Sequence, residues 1–241
     1  PMTTPTNAMA APRRIGILGG MGPAAAIDLQ ARILEATPAT EDGGHLPVVV
    51  WNVTQVPDRV AAVRGMGPSP LPAMVAGARA LEAAGCEAFA IACHTAHHWA
   101  QALEAAVSIP LIHIGEAAAA ALARRSPRPG RVGLLATRGT LDSGFLGHCL
   151  AANGFDWSAP GDPIQSRWVD TAIARVKAGD LDGARTAFAG AAEAFAARGP
   201  DVLLLACTEL PLAARGTEVC VPVVDATRAL ADAVVDFALR R

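Results

Sequence analysis

The chain has 241 residues, and its 20 basic and 22 acidic side chains give a net charge of −2. This balance excludes a protein built to bind nucleic acid or an anionic membrane surface, since both tasks need an excess of positive charge. Hydrophobic residues make up 52% of the chain and charged residues 17%, which excludes a disordered chain. The apolar runs fall well short of the roughly 20 residues of a membrane span. We therefore predict a globular protein with no nucleic-acid or membrane partner.

The first eleven residues lack a basic segment followed by an apolar core, so we expect no signal peptide and leave them out of the fold prediction. The chain has five widely spaced cysteines. An odd number at such spacing is not a disulfide framework and is typical of reduced thiols. We therefore predict a cytoplasmic location.

Short aliphatic runs alternate with alanine-rich segments of helical length. The predicted strands are 14–18, 47–51, 88–92, 111–114, 131–136, 202–206 and 221–224. The predicted helices are 24–36, 71–84, 95–106, 116–125, 141–152, 164–178, 181–197, 208–214 and 226–239. Strands that are apolar throughout indicate a parallel sheet covered on both faces, and the alternation with helices predicts an α/β fold. The segment 52–70 has no predicted element, and loops of that length are usually functional, for example as lids.

The two halves of the chain resemble each other. RIGIL at 14–18 matches RVGLL at 131–135, AIACHT at 90–95 matches LLACTE at 204–209, and IPLI at 109–112 matches VPVV at 221–224. The three matches occur in the same order with nearly constant offset, which predicts an internal duplication of one α/β unit. We predict two similar parallel-sheet domains related by a pseudo-twofold axis.

Cys93 and Cys207 hold matching places in the two copies, each between a predicted strand and a predicted helix. Open α/β sheets bind ligands at the carboxyl ends of their strands, and a helix N-terminus can lower the pKa of a thiol. Two equivalent cysteines from facing halves can reach both faces of one carbon, as a racemase requires. The alternative is that both are buried apolar side chains. Cys86, Cys149 and Cys220 have no matched partner, and we expect them in the core.

The first predicted strand ends in the glycine-rich turn 19–23. Residues 20–25 formally fit the G-x-G-x-x-A dinucleotide fingerprint, but the next strand ends at Trp51 without an acidic residue to bind a ribose. Pro23 is suited to the first turn of a helix, whose free N–H groups can bind a small anion such as a carboxylate. A purely structural turn and a dinucleotide site are the alternatives.

The block from Cys93 to His98 also allows a metal site. His94 and His98 would share one helix face with Cys93 nearby if the helix began early, and these residue types bind zinc. The matching block of the other half offers only Cys207, Thr208 and Glu209. Surface or helix-capping histidines are the alternative.

Lys177 is the only lysine of the chain and lies at a predicted helix end that Gly179 terminates. A lysine there usually complements the helix dipole. It could also form a Schiff base with pyridoxal phosphate or bind a carboxylate, although nothing else in the sequence supports that cofactor.

Four motifs in order, GILGGMGP, VPDR, a Cys-x-Thr-Ala-His block and ACTELP, resemble the aspartate/glutamate racemase family, and aspartate racemases most of all. The resemblance extends over about residues 13–239. It implies two similar α/β domains with the active site in the cleft between them, no cofactor and no metal, and a homodimer. We place the N-terminal domain at 12–115 plus 226–241 and the C-terminal domain at 116–225.

The resemblance also implies the roles of individual residues. Cys93 and Cys207 would be the two acid/base residues, and Thr95 and Thr208 would hold the α-carboxylate of an amino-acid substrate. Arg59 and Lys177 would bind its side-chain carboxylate, and Thr137 would line the same cleft. Four more residues complete the predicted substrate-binding set: Met21, Gly22, His94 and Glu209.

The chain departs from the family pattern at His94, where the family usually has an asparagine that donates hydrogen bonds to the substrate carboxylate. A histidine is also a donor, but it is bulkier and can titrate between pH 5 and 8. The predicted activity is a cofactor-independent racemisation of aspartate or a closely related acidic amino acid. The alternatives are a cis–trans isomerase or decarboxylase of a dicarboxylic acid, a zinc-dependent hydrolase, and a carboxylate-binding protein without activity.

Overall fold

The structure, a computed structural model, describes residues 11–240, so the expectation about an N-terminal signal falls almost wholly outside it. The strands are β1 Ile15–Gly19, β2 Val48–Asn52, β3 Ala88–Ile91, β4 Arg131–Ala136, β5 Asp156–Ser158, β6 Val202–Ala206 and β7 Val223–Asp225. The helices are α1 Pro23–Ala36, α2 Arg59–Val63, α3 Leu71–Ala83, α4 Ala100–Glu104, α5 Ile114–Ala123, α6 Arg138–Ser143, α7 Phe145–Ala152, α8 Asp162–Ile164, α9 Asp170–Lys177, α10 Leu181–Ala196, α11 Leu210–Ala214 and α12 Ala226–Leu239. No helix within residues 11–240 is long and apolar enough to cross a membrane.

The strands form two parallel sheets of the same design. The first has the order β2-β1-β3 and the second β5-β4-β6-β7. In the first sheet, Leu111 forms a single parallel bridge to Phe89 of β3, at the place that β7 occupies beside β6. The predicted fold class is confirmed, and the three matched sequence pairs fall on β1 and β4, on β3 and β6, and on Leu111 and β7.

The central strands are apolar because both faces of each sheet are covered. Every residue of β1 (IGILG) and of β6 (VLLLA) is buried. One apolar cluster contains residues of both sheets and of the helices between them, such as Ile17, Leu134 and Leu230, so the two halves share one core. Burial of this apolar surface is the main stabilising contribution to the fold.

Two helices connect the halves in a reciprocal way. Helix α5, which follows the first sheet, packs against α7 of the second half, and α12, which follows the second sheet, packs against α1 of the first. The two helices also pack against each other. The division into domains at 12–115 plus 226–241 and at 116–225 stays a prediction, and residue 241 lies outside the described range.

An ion-pair network fixes the start of α12 against α1. Asp225 caps α12 by accepting hydrogen bonds from the N–H groups of Thr227 and Arg228. Its carboxylate also pairs with Arg32 at 2.6 Å, and Arg32 in turn pairs with Asp28 at 2.6 Å. Because all three charged side chains are largely shielded from water, removing Arg32 would leave the Asp225 carboxylate buried without its ion-pair partner.

The predicted strand 111–114 is wrong beyond its first residue. His113 caps α5, because its Nδ1 accepts a hydrogen bond from the Gly115 N–H at 3.1 Å, and the helix therefore begins at Ile114. Strand β5 was not predicted, because it is only three residues long, is exposed, and lacks an aliphatic run.

Four helical segments also differ from the predictions, and one of them, the predicted helix 95–106, begins as a 3₁₀ turn over Thr95–Trp99 before α4. Helix α2 lies within the segment 52–70, where Asp58 caps it by accepting from the Ala61 N–H at 2.7 Å. The predicted helix 141–152 is divided into α6 and α7 by Gly144, which has a left-handed backbone with φ of 70°. A wide π-helical turn over Gln165–Val169 interrupts the predicted helix 164–178.

The cysteines without a matched partner do not share one environment. Cys86 is buried and Cys149 is half-buried, whereas Cys220 is exposed. The expectation that Cys220 belongs to the core is therefore wrong, because this residue lies in the loop before β7 and not in a strand.

Candidate active site

A small cavity lies where the carboxyl ends of the central strands of both sheets meet. It is lined by Met21, Asp58, Arg59, Val60, Cys93, His94, Thr95, Thr137, Lys177, Cys207, Thr208 and Glu209. Its volume is about 30 Å³, and since a water molecule needs about 10–15 Å³, it has room for about two waters. Four larger clefts within residues 11–240 contain neither of the two matched cysteines. The cavity is therefore a small site to which both halves contribute.

Cys93 follows β3 and is only 6% exposed. Burial is the largest influence on its thiol and raises its pKa, while the Arg59 guanidinium and the Ala96 N–H act in the opposite direction. The pKa is raised overall, so the expectation of a lowered value is wrong for the free enzyme. The Arg59 guanidinium and the Ala96 N–H, which lower the pKa, nonetheless favour negative charge on the Cys93 sulfur once it is deprotonated.

Cys207 follows β6 at the equivalent place and is 2% exposed. Its Sγ donates a hydrogen bond to Glu209 Oε2 at 2.9 Å. Burial raises the pKa of this thiol well above its ordinary value, and the Glu209 carboxylate raises it further, while Lys177 lowers it. The surroundings of Cys207 thus favour the protonated thiol.

Threonine hydroxyls cluster on the wall between the halves. The Thr95 hydroxyl lies 2.9 Å from that of Thr137 and 3.1 Å from that of Thr140. Thr137 also caps α6 by accepting from the Thr140 N–H at 3.1 Å. Thr140 was not predicted as a site residue, because its hydroxyl reaches the cluster only when residues 137–140 form the first turn of α6. In the second half, the Thr208 hydroxyl donates to Glu209 Oε2 at 3.1 Å.

Arg59 is the first residue of α2, and backbone carbonyls fix its guanidinium. Its Nη2 donates to the Met21 carbonyl at 3.0 Å, and its Nη1 lies 3.3 Å from that of Val56 and 3.2 Å from that of Pro57. The Nε is buried without a partner among the described residues. Lys177 ends α9 and lines the same cavity. Across residues 11–240, neither cation forms an ion pair with a carboxylate, so both are available to an anionic ligand.

His94 lines the cavity at 2% exposure, and neither of its ring nitrogens has a hydrogen-bond partner in the described part of the chain. Burial lowers its pKa to about 3, with a smaller contribution from His113. The ring is therefore neutral near pH 7 and presents one donor and one acceptor nitrogen.

The structure does not form the metal site considered above. Residues 95–99 adopt a tight 3₁₀ turn with three residues per turn, so His94 is buried while His98 is exposed against the edge of Trp99. Among residues 11–240, no group of three or more histidine, cysteine, aspartate or glutamate side chains is arranged to hold a metal.

The structure brings together nearly all of the predicted site residues. Ten of them line the cavity, namely Met21, Arg59, Cys93, His94, Thr95, Thr137, Lys177, Cys207, Thr208 and Glu209. Gly22 does not line it and instead precedes α1, where its carbonyl accepts from the Ala25 N–H. Asp58 and Val60 were not predicted, although Asp58 belongs to the VPDR motif. The location of the ten predicted residues in one cavity does not test their individual roles, which stay proposals.

Comparisons with known proteins agree with this arrangement. The Asp/Glu/Hydantoin racemase family matches the chain over residues 18–234. An aspartate racemase from Picrophilus torridus is 29% identical, with a TM-score of 0.81 over 95% of each chain. An aspartate racemase homologue from Pyrococcus horikoshii OT3 is 22% identical, with a TM-score of 0.76 over 95% of this chain and 100% of that one. A glutamate racemase from Francisella tularensis, solved in complex with D-glutamate, is 16% identical, with a TM-score of 0.67 over 92% of this chain and 79% of that one. The last two likenesses show the fold alone.

Proposed function

The chain belongs to the Asp/Glu/Hydantoin racemase family and is a racemase, and we propose that it interconverts the enantiomers of aspartate or a closely related acidic amino acid. We further propose that two cysteines carry the reaction. One observation carries this proposal: Cys93 and Cys207 follow equivalent strands of the two sheets and line the same cavity. A racemase needs acid/base groups on both faces of the α-carbon, and two such thiols provide them.

The proposed reaction moves one proton onto the enzyme and one proton off it. The Cys93 thiolate removes the α-proton and becomes a thiol, while the Cys207 thiol protonates the opposite face of the planar carbanion and becomes a thiolate. The roles exchange when the other enantiomer is the substrate. After burial, the largest influence on the Cys93 thiol is Arg59, which favours the thiolate, and the largest influence on the Cys207 thiol is Glu209, which favours the thiol. Glu209 at Cys93 and Lys177 at Cys207 act in the opposite directions with smaller effects, so the balance supports this starting state.

The carbanion spreads its charge onto the α-carboxylate, and donors placed at that carboxylate lower the barrier. Thr95 from the first half and Thr208 from the second half supply hydroxyls to the cavity. The buried neutral ring of His94 supplies a further N–H donor where the family usually has an asparagine. These donors are our candidates for binding the α-carboxylate.

The two unpaired cations support an acidic substrate. Arg59 is held in place by three backbone carbonyls, and its Nε has no partner among the described residues. Lys177, from the second half, lines the same cavity. A guanidinium binds a carboxylate through two parallel hydrogen bonds, which a single ammonium cannot do. We therefore assign the side-chain carboxylate of the substrate to this pair.

Single-cysteine variants test the mechanism. We expect Cys93→Ala and Cys207→Ala each to abolish racemisation of aspartate, whereas Cys86→Ala, at a buried cysteine outside the cavity, remains active. Full activity in both active-site variants would refute the two-cysteine mechanism. A decarboxylase would need only one of the two thiols, so release of carbon dioxide by one single variant would favour that alternative.

Four expectations drawn from the sequence stay predictions, namely independence from any cofactor, the absence of a metal, a homodimer and a cytoplasmic location. Activity of the purified enzyme after dialysis against a chelator, together with its absorption spectrum, tests the first two. Sedimentation of the purified enzyme tests the third.

A further inference from the structure

Cys93 lies in a short irregular connection that neither sheet nor helix holds. Strand β3 ends at Ile91, and the following 3₁₀ turn begins only at Thr95. In the second half, the Cys207 carbonyl accepts a backbone hydrogen bond from the Leu210 N–H at 3.2 Å. The Cys93 carbonyl is held in another way, by a side chain.

His97 supplies that side chain. Its Nδ1 lies 2.9 Å from the carbonyl oxygen of Cys93, and its Nε2 lies 3.3 Å from the backbone nitrogen of Ile114. A carbonyl can only accept and an N–H can only donate, so Nδ1 must carry the proton and Nε2 must be the acceptor. The Ile114 N–H is one of the first N–H groups of α5, which have no partner within the helix. His97 therefore joins the Cys93 carbonyl to the start of α5.

The packing around His97 keeps the ring in this orientation and in the neutral form. Phe145 stacks against it with ring centroids 5.7 Å apart, and His113 meets its edge at 4.8 Å. The ring is 2% exposed, and burial lowers its pKa well below the ordinary value. A second ring proton would also oppose the Ile114 N–H, so the neutral tautomer is the one that the contacts allow.

We propose that His97 is a positioning residue that fixes the Cys93 turn, and with it the sulfur of Cys93, against α5. This inference rests on the proposed role of Cys93. It does not place His97 in contact with the substrate. A displaced Cys93 would lose its alignment with the α-carbon and its contacts with Arg59 and the Ala96 N–H.

Two conservative variants separate the two hydrogen bonds of the ring. In His97→Asn, the side-chain amide takes the place of Nδ1 and can still donate to the Cys93 carbonyl. In His97→Gln, the amide takes the place of Nε2 and can accept from Ile114, but it no longer reaches Cys93. His148 offers a matched control, because its Nδ1 makes the same contact with a carbonyl four residues earlier, Gly144, at 2.9 Å on an exposed helix face.

The experiment measures kcat and KM for aspartate, and separately the rates at which iodoacetamide alkylates Cys93 and Cys207 in the intact protein. For His97→Gln we expect kcat to fall by about tenfold to a hundredfold, because small misplacements of a reacting group have effects of that size. We expect KM and the alkylation rate of Cys207 to stay unchanged, while alkylation of Cys93 slows. His97→Asn, His148→Asn and His148→Gln should behave like the wild type.

Wild-type kcat in His97→Gln would overturn the proposal, as would equal losses of kcat in His97→Asn and His97→Gln. Equal slowing of both cysteines would indicate a general structural role and would also overturn it. If His97→Gln does not fold, His97→Asn decides, because slowed alkylation of Cys93 in that variant contradicts the tether and an unchanged rate supports it. The alkylation rates of Cys93 and Cys207 can be measured even if the wild type does not racemise aspartate. Failure of the positioning role of His97 can therefore be distinguished from failure of the proposed function.

Discussion

The thiol of Cys207 donates a hydrogen bond to the carboxylate of Glu209 across 2.9 Å. The residue that corresponds to Glu209 in the first half of the duplicated chain is Thr95. Glu209 also raises the pKa of Cys93, but there the guanidinium of Arg59 has the larger effect and lowers it. The two equivalent cysteines thus lie in electrostatically different surroundings. This difference distinguishes a base from an acid within a pseudosymmetric site.

The charge of Glu209 should control the reactivity of Cys207. In Glu209→Gln the negative charge is removed, so we expect the pKa of the Cys207 thiol to fall and its alkylation by iodoacetamide to begin at lower pH. Peptide mass spectrometry after alkylation at a series of pH values measures the shift. Glu218→Gln removes the same charge from an exposed residue outside the cavity and should leave the profile unchanged. An unchanged profile in Glu209→Gln would contradict the assignment.

The planar guanidinium of Arg59 should matter more than its charge alone. Arg59→Lys keeps the charge but loses the paired donors, and we expect KM for aspartate to rise about tenfold to a hundredfold, as for the loss of one hydrogen bond to a charged group. The pH dependence of Cys93 alkylation should shift little, because a positive charge remains. Arg79→Lys, at an exposed site on α3, is the control. A wild-type KM in Arg59→Lys would argue against binding of the substrate by this side chain.

Burial of neutral His94 should make the fold sensitive to acid. Its pKa is lowered from 6.5 to about 3 in the folded chain, so between these values the unfolded chain binds a proton that the folded chain does not. Stability therefore falls as the pH drops below about 6.5 and is independent of this group above it. We expect the Tm of His94→Asn to fall less than that of the wild type between about pH 7 and about pH 4. His98→Asn, at an exposed position, should retain the wild-type slope, and equal slopes in all three proteins would contradict the prediction.

An ion pair joins the halves beside the cavity. Arg64 of the segment 52–70 lies 2.6 Å from Asp142 of α6, and Val60 packs near Gly139 of the same helix. Both charged side chains are more than a third exposed, so we expect a coupling of only about 0.2–1 kcal/mol that weakens with added salt. A double-mutant cycle on KM with Arg64→Ala and Asp142→Ala measures it. Strictly additive effects at low salt would show that the pair does not help to close the cleft.

The fold could be predicted because parallel strands that are buried on both faces leave a plain signal. RIGIL and RVGLL became the strands β1 and β4, and Cys93 and Cys207 lie just beyond the ends of β3 and β6, where the duplication predicts them. Short exposed elements such as β5 leave no such signal. The cap of α2 at Asp58 depends on a local hydrogen bond that a loop rich in proline and glycine conceals.

The site residues could be predicted from motifs, but their electrostatics could not. The sequence predicts a helix start behind Cys93 and hence a lowered thiol pKa, whereas the structure buries the sulfur enough to reverse the sign. The contacts of His97 with Cys93 and Ile114 depend on where α5 begins, and that was itself predicted incorrectly. Burial and long-range contacts of this kind follow from tertiary packing, which local patterns do not specify.

Proton NMR in deuterated water shows whether two thiols act from opposite faces of the α-carbon. The purified enzyme is given L-aspartate or D-aspartate alone, and chiral chromatography separates the enantiomers early in the reaction. We expect the newly formed enantiomer to carry deuterium at the α-carbon while the remaining substrate keeps its proton. Deuterium entering both enantiomers equally from the start would contradict a two-base mechanism, and no exchange with either enantiomer would contradict aspartate as the substrate.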